Sequence, residues 1–141
     1  MHAAGPYPLP DLAGTTVLLV DDFVEERRIV ASVLDLAGAG VFEVSYGEEA
    51  KTTIPHLRPD AVVTELALPD ATGVELARWV RHRDRALDRT TVVVALTRWP
   101  QEYPSGAARA VGFDGYFTKP PVTDDLIFGL AALLRTLPKA R

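Results

Sequence analysis

Residues 91–96 read Thr-Val-Val-Val-Ala-Leu, an almost wholly apolar, β-branched run with no polar residue alternating through it. A strand with one face in water alternates. A strand covered on both faces does not, and burial of both faces is the mark of a parallel sheet packed between helices. Residues 15–20 form a second such run, and residues 61–65 a third that closes on Glu65. Shorter strand-like segments lie at 41–45 and 115–118.

Helix-like segments alternate with these strands. Residues 24–37 place Ile29, Val30, Val33, Leu34 and Ala37 on one face, with Gly38 as a stop. Residues 48–54 form a short helix closed by Pro55, and residues 73–83 carry Val74, Leu76, Ala77 and Val80. Pro100 and Pro104 leave only about residues 105–111 for the next helix. A last helix over 123–137 has Leu126, Leu130, Leu133, Leu134 and Leu137 as its core stripe. Five strands alternating with five helices imply a parallel sheet with right-handed crossovers and both faces covered. The Pro-rich residues 1–14 are expected to be a flexible tail, residues 15–137 the domain, and residues 138–141 a short C-terminal tail.

At 141 residues the chain has the length of one domain with a sizeable core. Its net charge of −4 argues against nucleic-acid binding by the domain itself. It has no cysteine, which excludes disulfides, thiolate metal sites and thiol catalysis. No apolar run approaches a membrane span and no signal-peptide pattern is present, so a cytoplasmic protein is expected.

The polar residues that stand out fall at the C-terminal ends of strands. Asp21 and Asp22 follow the first, Glu65 ends the third, Thr97 follows the fourth and Lys119 the fifth. In a doubly wound sheet these ends share one crevice. Clustered carboxylates repel each other unless a cation joins them. Acids for a hard divalent cation, a hydroxyl and an ammonium together suit the handling of a phosphoryl group. An N-cap role would account for one aspartate, but not for the pair in this company.

This set resembles the receiver domain of two-component response regulators, over about residues 15–137. The single-domain, chemotaxis-type regulator is the nearest in kind. The resemblance is carried by Leu19-Val20-Asp21-Asp22-Phe23 continuing to Arg27-Arg28-Ile29-Val30, by Leu68-Pro69 and Gly73 after position 65, by Thr97, and by Tyr116-Phe117-Thr118-Lys119-Pro120. It implies a flavodoxin-like, doubly wound (βα)5 three-layer α/β sandwich whose parallel sheet has the order 2-1-3-4-5. It also implies that Asp21, Asp22 and the backbone carbonyl of Ala67 would bind Mg²⁺. Thr97 and Lys119 would hold phosphoryl oxygens, Tyr116 would be the switch aromatic, and the Lys119–Pro120 peptide would be cis.

Two residues depart from that pattern. Glu65 stands where the family has its acceptor aspartate, and Arg98 where it has a small residue. The extra methylene moves the carboxylate out by roughly 1.5 Å and adds a rotor. Phosphoryl transfer depends mainly on positioning, and a misplacement near 1 Å can cost about a hundredfold in rate. Arg98 adds a permanent cation beside the pocket. It has three places to go: Glu65, Asp22, in either case replacing Mg²⁺ as counter-charge, or solvent.

The expected function is that of a stand-alone receiver-like signalling module, not an enzyme, that acts by protein–protein contact independently of phosphorylation. Its partner would be a histidine kinase or a downstream target, and its state monomeric or weakly dimeric. The alternative is conventional phosphotransfer from a histidine kinase to Glu65 or a substitute such as Asp22, with Mg²⁺-dependent self-phosphorylation and autodephosphorylation as its only chemistry. A flavodoxin-type small-molecule binder lacks its phosphate loop here, because Asp21-Asp22-Phe23 occupies that place. Trp99 and Tyr103, in a Pro-bounded loop, mark a partner surface together with Tyr116. Arg78, Arg81, His82, Arg83, Arg85 and Arg89 are expected to be a solvated helix face.

Overall fold

The computed structural model describes residues 9–98, 109–119 and 123–136. Strands β1 (Thr16–Val20), β2 (Gly40–Val44), β3 (Ala61–Thr64), β4 (Val92–Thr97) and β5 (Gly115–Thr118) form one sheet in the order β2-β1-β3-β4-β5. Every pairing is parallel. Helices α1 (Val24–Leu36), α2 (Gly47–Leu57), α3 (Gly73–Leu87) and α4 (Thr123–Thr136) complete the doubly wound, flavodoxin-like architecture.

Alternate residues of each strand serve opposite cores, as the period of two requires. Val17, Leu19, Val63, Val94 and Leu96 pack with Val30 and Leu34 of α1 and Leu126, Ile127 and Leu130 of α4. Leu18, Val20, Val62, Val93 and Ala95 pack with Ala50 and Ile54 of α2 and Leu76, Ala77 and Val80 of α3. Each fully buried aliphatic side chain contributes about 1.5–3 kcal/mol. The register pairs Val20 with Thr64 and Thr64 with Ala95, so the C-terminal strand ends lie nearly level. The chain order reverses around β1 and β3, and in such sheets the reversal opens the crevice.

Several expectations are corrected. Ile29 was expected on the core face of α1, but it is 61% exposed. At about 3.6 residues per turn the inward stripe is Arg27, Val30, Ala31 and Leu34, and Ile29 falls beside it. The second helix does not close at Pro55 but runs to Leu57. Proline removes one N–H from the ladder, and the stop comes instead from Arg58, whose φ of 52° is left-handed and whose N–H donates to the Ile54 carbonyl at 2.8 Å. Helix α3 continues past residue 83 to Leu87, because nothing breaks it before Asp88 adopts φ 53°.

The helix expected over 105–111 lies mostly outside the described residues, of which 109–110 are helical. Leu137 lies outside them too. Leu12, within the segment expected to be a tail, is buried, and its N–H donates to the Ala37 carbonyl at 2.7 Å. Among the described residues no helix is long and apolar enough to cross a membrane.

Candidate functional site

The strand ladder delivers the polar residues to one edge. The Asp21 N–H donates to the Val44 carbonyl at 3.1 Å and the Glu65 N–H to the Val20 carbonyl at 2.9 Å. The Lys119 N–H donates to the Thr97 carbonyl at 2.7 Å. Asp21, Glu65 and Lys119 are thus extensions of β1, β3 and β5, with Thr97 ending β4 between the last two.

Asp21 is 2% and Glu65 1% exposed, and both carboxylates face the ammonium of Lys119. Lys119 donates to Asp21 Oδ2 and stands 3.3 Å from Glu65 Oε1. The remaining oxygens are also used. Asp21 Oδ1 accepts from the Phe23 N–H at 3.0 Å. Glu65 Oε2 accepts from the Leu66 N–H at 2.6 Å, and Oε1 receives the Arg98 N–H at 3.3 Å. Two buried negative charges against one positive charge leave the pocket with a net negative charge, which burial makes costly.

Glycine at position 73 keeps this arrangement possible. A Cβ there would lie 2.5 Å from the Glu65 carbonyl oxygen and 3.0 Å from the Leu66 Cα, so α3 can start against the acid-bearing loop only without a side chain. The same loop carries Asp70, whose carboxylate accepts from the Gly47 and Glu48 N–H groups, each at 2.9 Å, at the start of α2. The Glu48 amide, with help from the Gly47 amide and the Lys51 charge, holds the Asp70 carboxyl below its ordinary pKa, against a smaller effect of burial. Ala67 bridges to Thr72 across this loop.

Arg98 takes neither of the inward positions open to it. Its guanidinium pairs with Glu26 of α1 and lies 3.8 Å from the centroid of the Phe23 ring, so only its backbone N–H reaches Glu65. The cation among the acids is Lys119. Tyr116 is partly buried beside the α2–α3 core, and burial, with the Glu65 charge second, pushes its phenol above the ordinary tyrosine pKa. Trp99, Tyr103 and Pro120 lie outside the described residues, and with them two members of the expected partner surface and the expected cis peptide.

Mg²⁺ wants hard oxygen ligands. Asp22 Oδ1 is buried with no hydrogen-bond partner, an open oxygen on the residue that follows Asp21, and the pocket has negative charge to spare. The residues present therefore fit a divalent cation, with Lys119 as its competitor for Asp21.

Two arginines were not recognised as structural from the sequence. Arg27 is buried on the inner stripe of α1. It donates from Nη1 to the Asp21 carbonyl and to Ser45 Oγ, both at 2.8 Å, and from Nε to Glu43 at 2.9 Å. An arginine at i−3 of an apolar stripe was the available signal. Arg81, expected on a solvated face, instead donates to Asp114 at 2.5 Å and to the carbonyls of Gly112 and Thr91. It staples α3 to the far end of the sheet from the site.

The family model described as the response regulator receiver domain matches residues 17–130, and the chain belongs to that family. It is 32% identical to the phosphate regulon transcriptional regulatory protein PhoB of Pseudomonas aeruginosa, over 88% of this chain and 53% of that protein. It is also 32% identical to a 14.6 kDa protein of Leptolyngbya boryana, over 77% of this chain and 82% of that one. The chain spans about half the length of PhoB and of the transcriptional regulatory protein GltR, also of Pseudomonas aeruginosa. Among solved structures, a CheY-like receiver domain from Methylobacillus flagellatus superposes with a TM-score of 0.72 at 26% identity, over 84% of this chain and 98% of that one. Receiver domains are modules of two-component signal transduction that interact with histidine kinases and downstream effectors.

Proposed function

We propose that this receiver domain signals without phosphorylation at position 65, as a pseudo-receiver in the cytoplasm that acts by protein–protein contact and not as an enzyme. The observation that carries the reading is the state of the Glu65 carboxylate. It is buried, and its oxygens are engaged by Lys119 and by the Leu66 and Arg98 amides. A nucleophilic oxygen must meet phosphorus in line, and one held by donors in a closed pocket is poorly placed to do so. The longer side chain instead brings a carboxylate to donors that would otherwise receive a phosphoryl group. Charge-assisted hydrogen bonds of this kind contribute about 1.5–3 kcal/mol each, enough to hold one conformation of the strand edge.

In this reading Lys119 neutralises the Asp21–Glu65 pair, Thr97 borders the carboxylate, and Tyr116 senses its charge. Asp21, Asp22 and the Ala67 carbonyl would hold Mg²⁺, which supplies charge neutralisation at the cluster. The partner is a histidine kinase or a downstream effector, and Tyr116 belongs to the face it meets. A second reading draws on the unpartnered oxygen of Asp22: phosphotransfer from a histidine kinase to Asp22 or to Glu65 itself.

Incubation with a small acyl phosphate and Mg²⁺, followed by intact-mass measurement, separates the two. Unmodified protein is the expected result. A stoichiometric, acid-labile phosphate adduct would establish the second reading.

A further inference from the structure

Above the sealed acids, one aromatic ring touches two cations. The Phe23 centroid lies 3.8 Å from the Arg98 guanidinium carbon and 5.6 Å from Lys119 Nζ. Lys119 belongs to the closed pocket, its side chain only 2% exposed. Arg98 and its partner Glu26 are about one-third exposed, at the rim. Phe23 is itself 41% exposed and follows directly on Asp21 and Asp22. The end of β4 is therefore tied to the start of α1 over the loop that bears both aspartates.

We propose that Arg98 is the specificity-determining residue of this pocket: a clasp, made with Phe23 and Glu26, that lowers the affinity of Asp21 and Asp22 for divalent cations. Three features support this. The guanidinium is weakly hydrated and stacks readily on an aromatic face, so it can lie over the loop where an ammonium would stay in water. Its charge and bulk stand where a hydrated Mg²⁺, which gives up its water reluctantly, would have to pass. Finally, Arg98 Nε is buried with no hydrogen-bond partner, so what holds the side chain there is the ring and the ion pair that Nη2 makes with Glu26. Both contacts are of the weak, partly exposed kind, so the clasp opens reversibly.

The inference rests on reading the acidic pocket as a cation site, and the test separates the two. Mn²⁺ is titrated into the wild type, Arg98→Ala, Glu26→Gln, and Arg98→Ala combined with Asp22→Asn, with free Mn²⁺ followed by electron paramagnetic resonance. Releasing the clasp is expected to tighten Mn²⁺ binding by about tenfold in Arg98→Ala, and by less in Glu26→Gln, which frees the arginine from the other side. Adding Asp22→Asn should abolish the gain. Equal affinities in wild type and Arg98→Ala, with binding lost when Asp22→Asn is added, would overturn the clasp while leaving the cation site standing. Absence of Mn²⁺ binding to any of the folded variants would overturn both. Glu26 is partly exposed on α1, which makes the second variant a safe test should Arg98→Ala fold poorly.

Discussion

Lys119 Nζ stands 3.3 Å from Glu65 Oε1 while donating to Asp21, so one ammonium serves two buried carboxylates. A pocket of this kind stays closed only while the cation is present. Breaking a buried pair from one side leaves uncompensated charge, which is why such pairs are costly to disrupt even when they add little net stability.

Lys119→Met is therefore expected to destabilise the domain by about 3–5 kcal/mol in urea unfolding. Millimolar Mg²⁺ should recover part of that loss in the variant and little in the wild type, because a metal would then be the only counter-charge for Asp21 and Glu65. A loss below about 1 kcal/mol, the range of exposed pairs, would contradict the closed pocket.

Tyr116 offers a spectroscopic reading of the same charge. Its phenol is pushed up by burial first and by Glu65 second. A tyrosine raised in the fold stays protonated where the unfolded chain has already ionised. Its contribution to stability is complete below about pH 10 and is lost as pH rises through the unfolded value toward the folded one. Absorbance titration at 295 nm, with Tyr116→Phe as the difference control, should show this phenol ionising last. Glu65→Gln should move it partway back down. No movement would show that the Glu65 charge does not reach it.

The sign is opposite for Asp70, whose carboxyl is lowered chiefly by the Glu48 amide. Its contribution is present above the unfolded carboxylate pKa near 3.8 and disappears as pH falls through the lower folded value. Asp70→Ala removes acceptors from two amides at the start of α2 and should cost about 0.5–2 kcal/mol at neutral pH, toward the low end because the group is exposed. The difference between wild type and variant should shrink in melts below that pKa.

Much of this was legible in the chain itself. The largely apolar, β-branched runs at 15–20, 61–64 and 91–96 announce strands covered on both faces, and their ends announce where Asp21, Glu65 and Thr97 meet. Which cation sits among the acids was not legible. Spacing places Lys119 and Arg98 at one edge, but only packing decides that the flexible lysine turns in to Asp21 while the planar guanidinium lies flat on Phe23. Arg27, Arg81 and Asp84 were similarly hidden. Charge on a helix reads as solvent-facing, and their burial depends on partners far away in sequence: Glu43 for Arg27, Asp114 for Arg81 and Thr91 for Asp84. Ile29 shows the converse, an apolar side chain left outside because Arg27 holds the inward stripe.

On the proposed function, one methylene at position 65 separates this domain from a phosphorylated receiver. The most direct test exposes wild type and Glu65→Asp, side by side, to a small acyl phosphate with Mg²⁺ and weighs both proteins intact. No adduct is expected on the wild type, and an acid-labile phosphate is expected on the aspartate variant. A stoichiometric adduct at Glu65 of the wild type would contradict it.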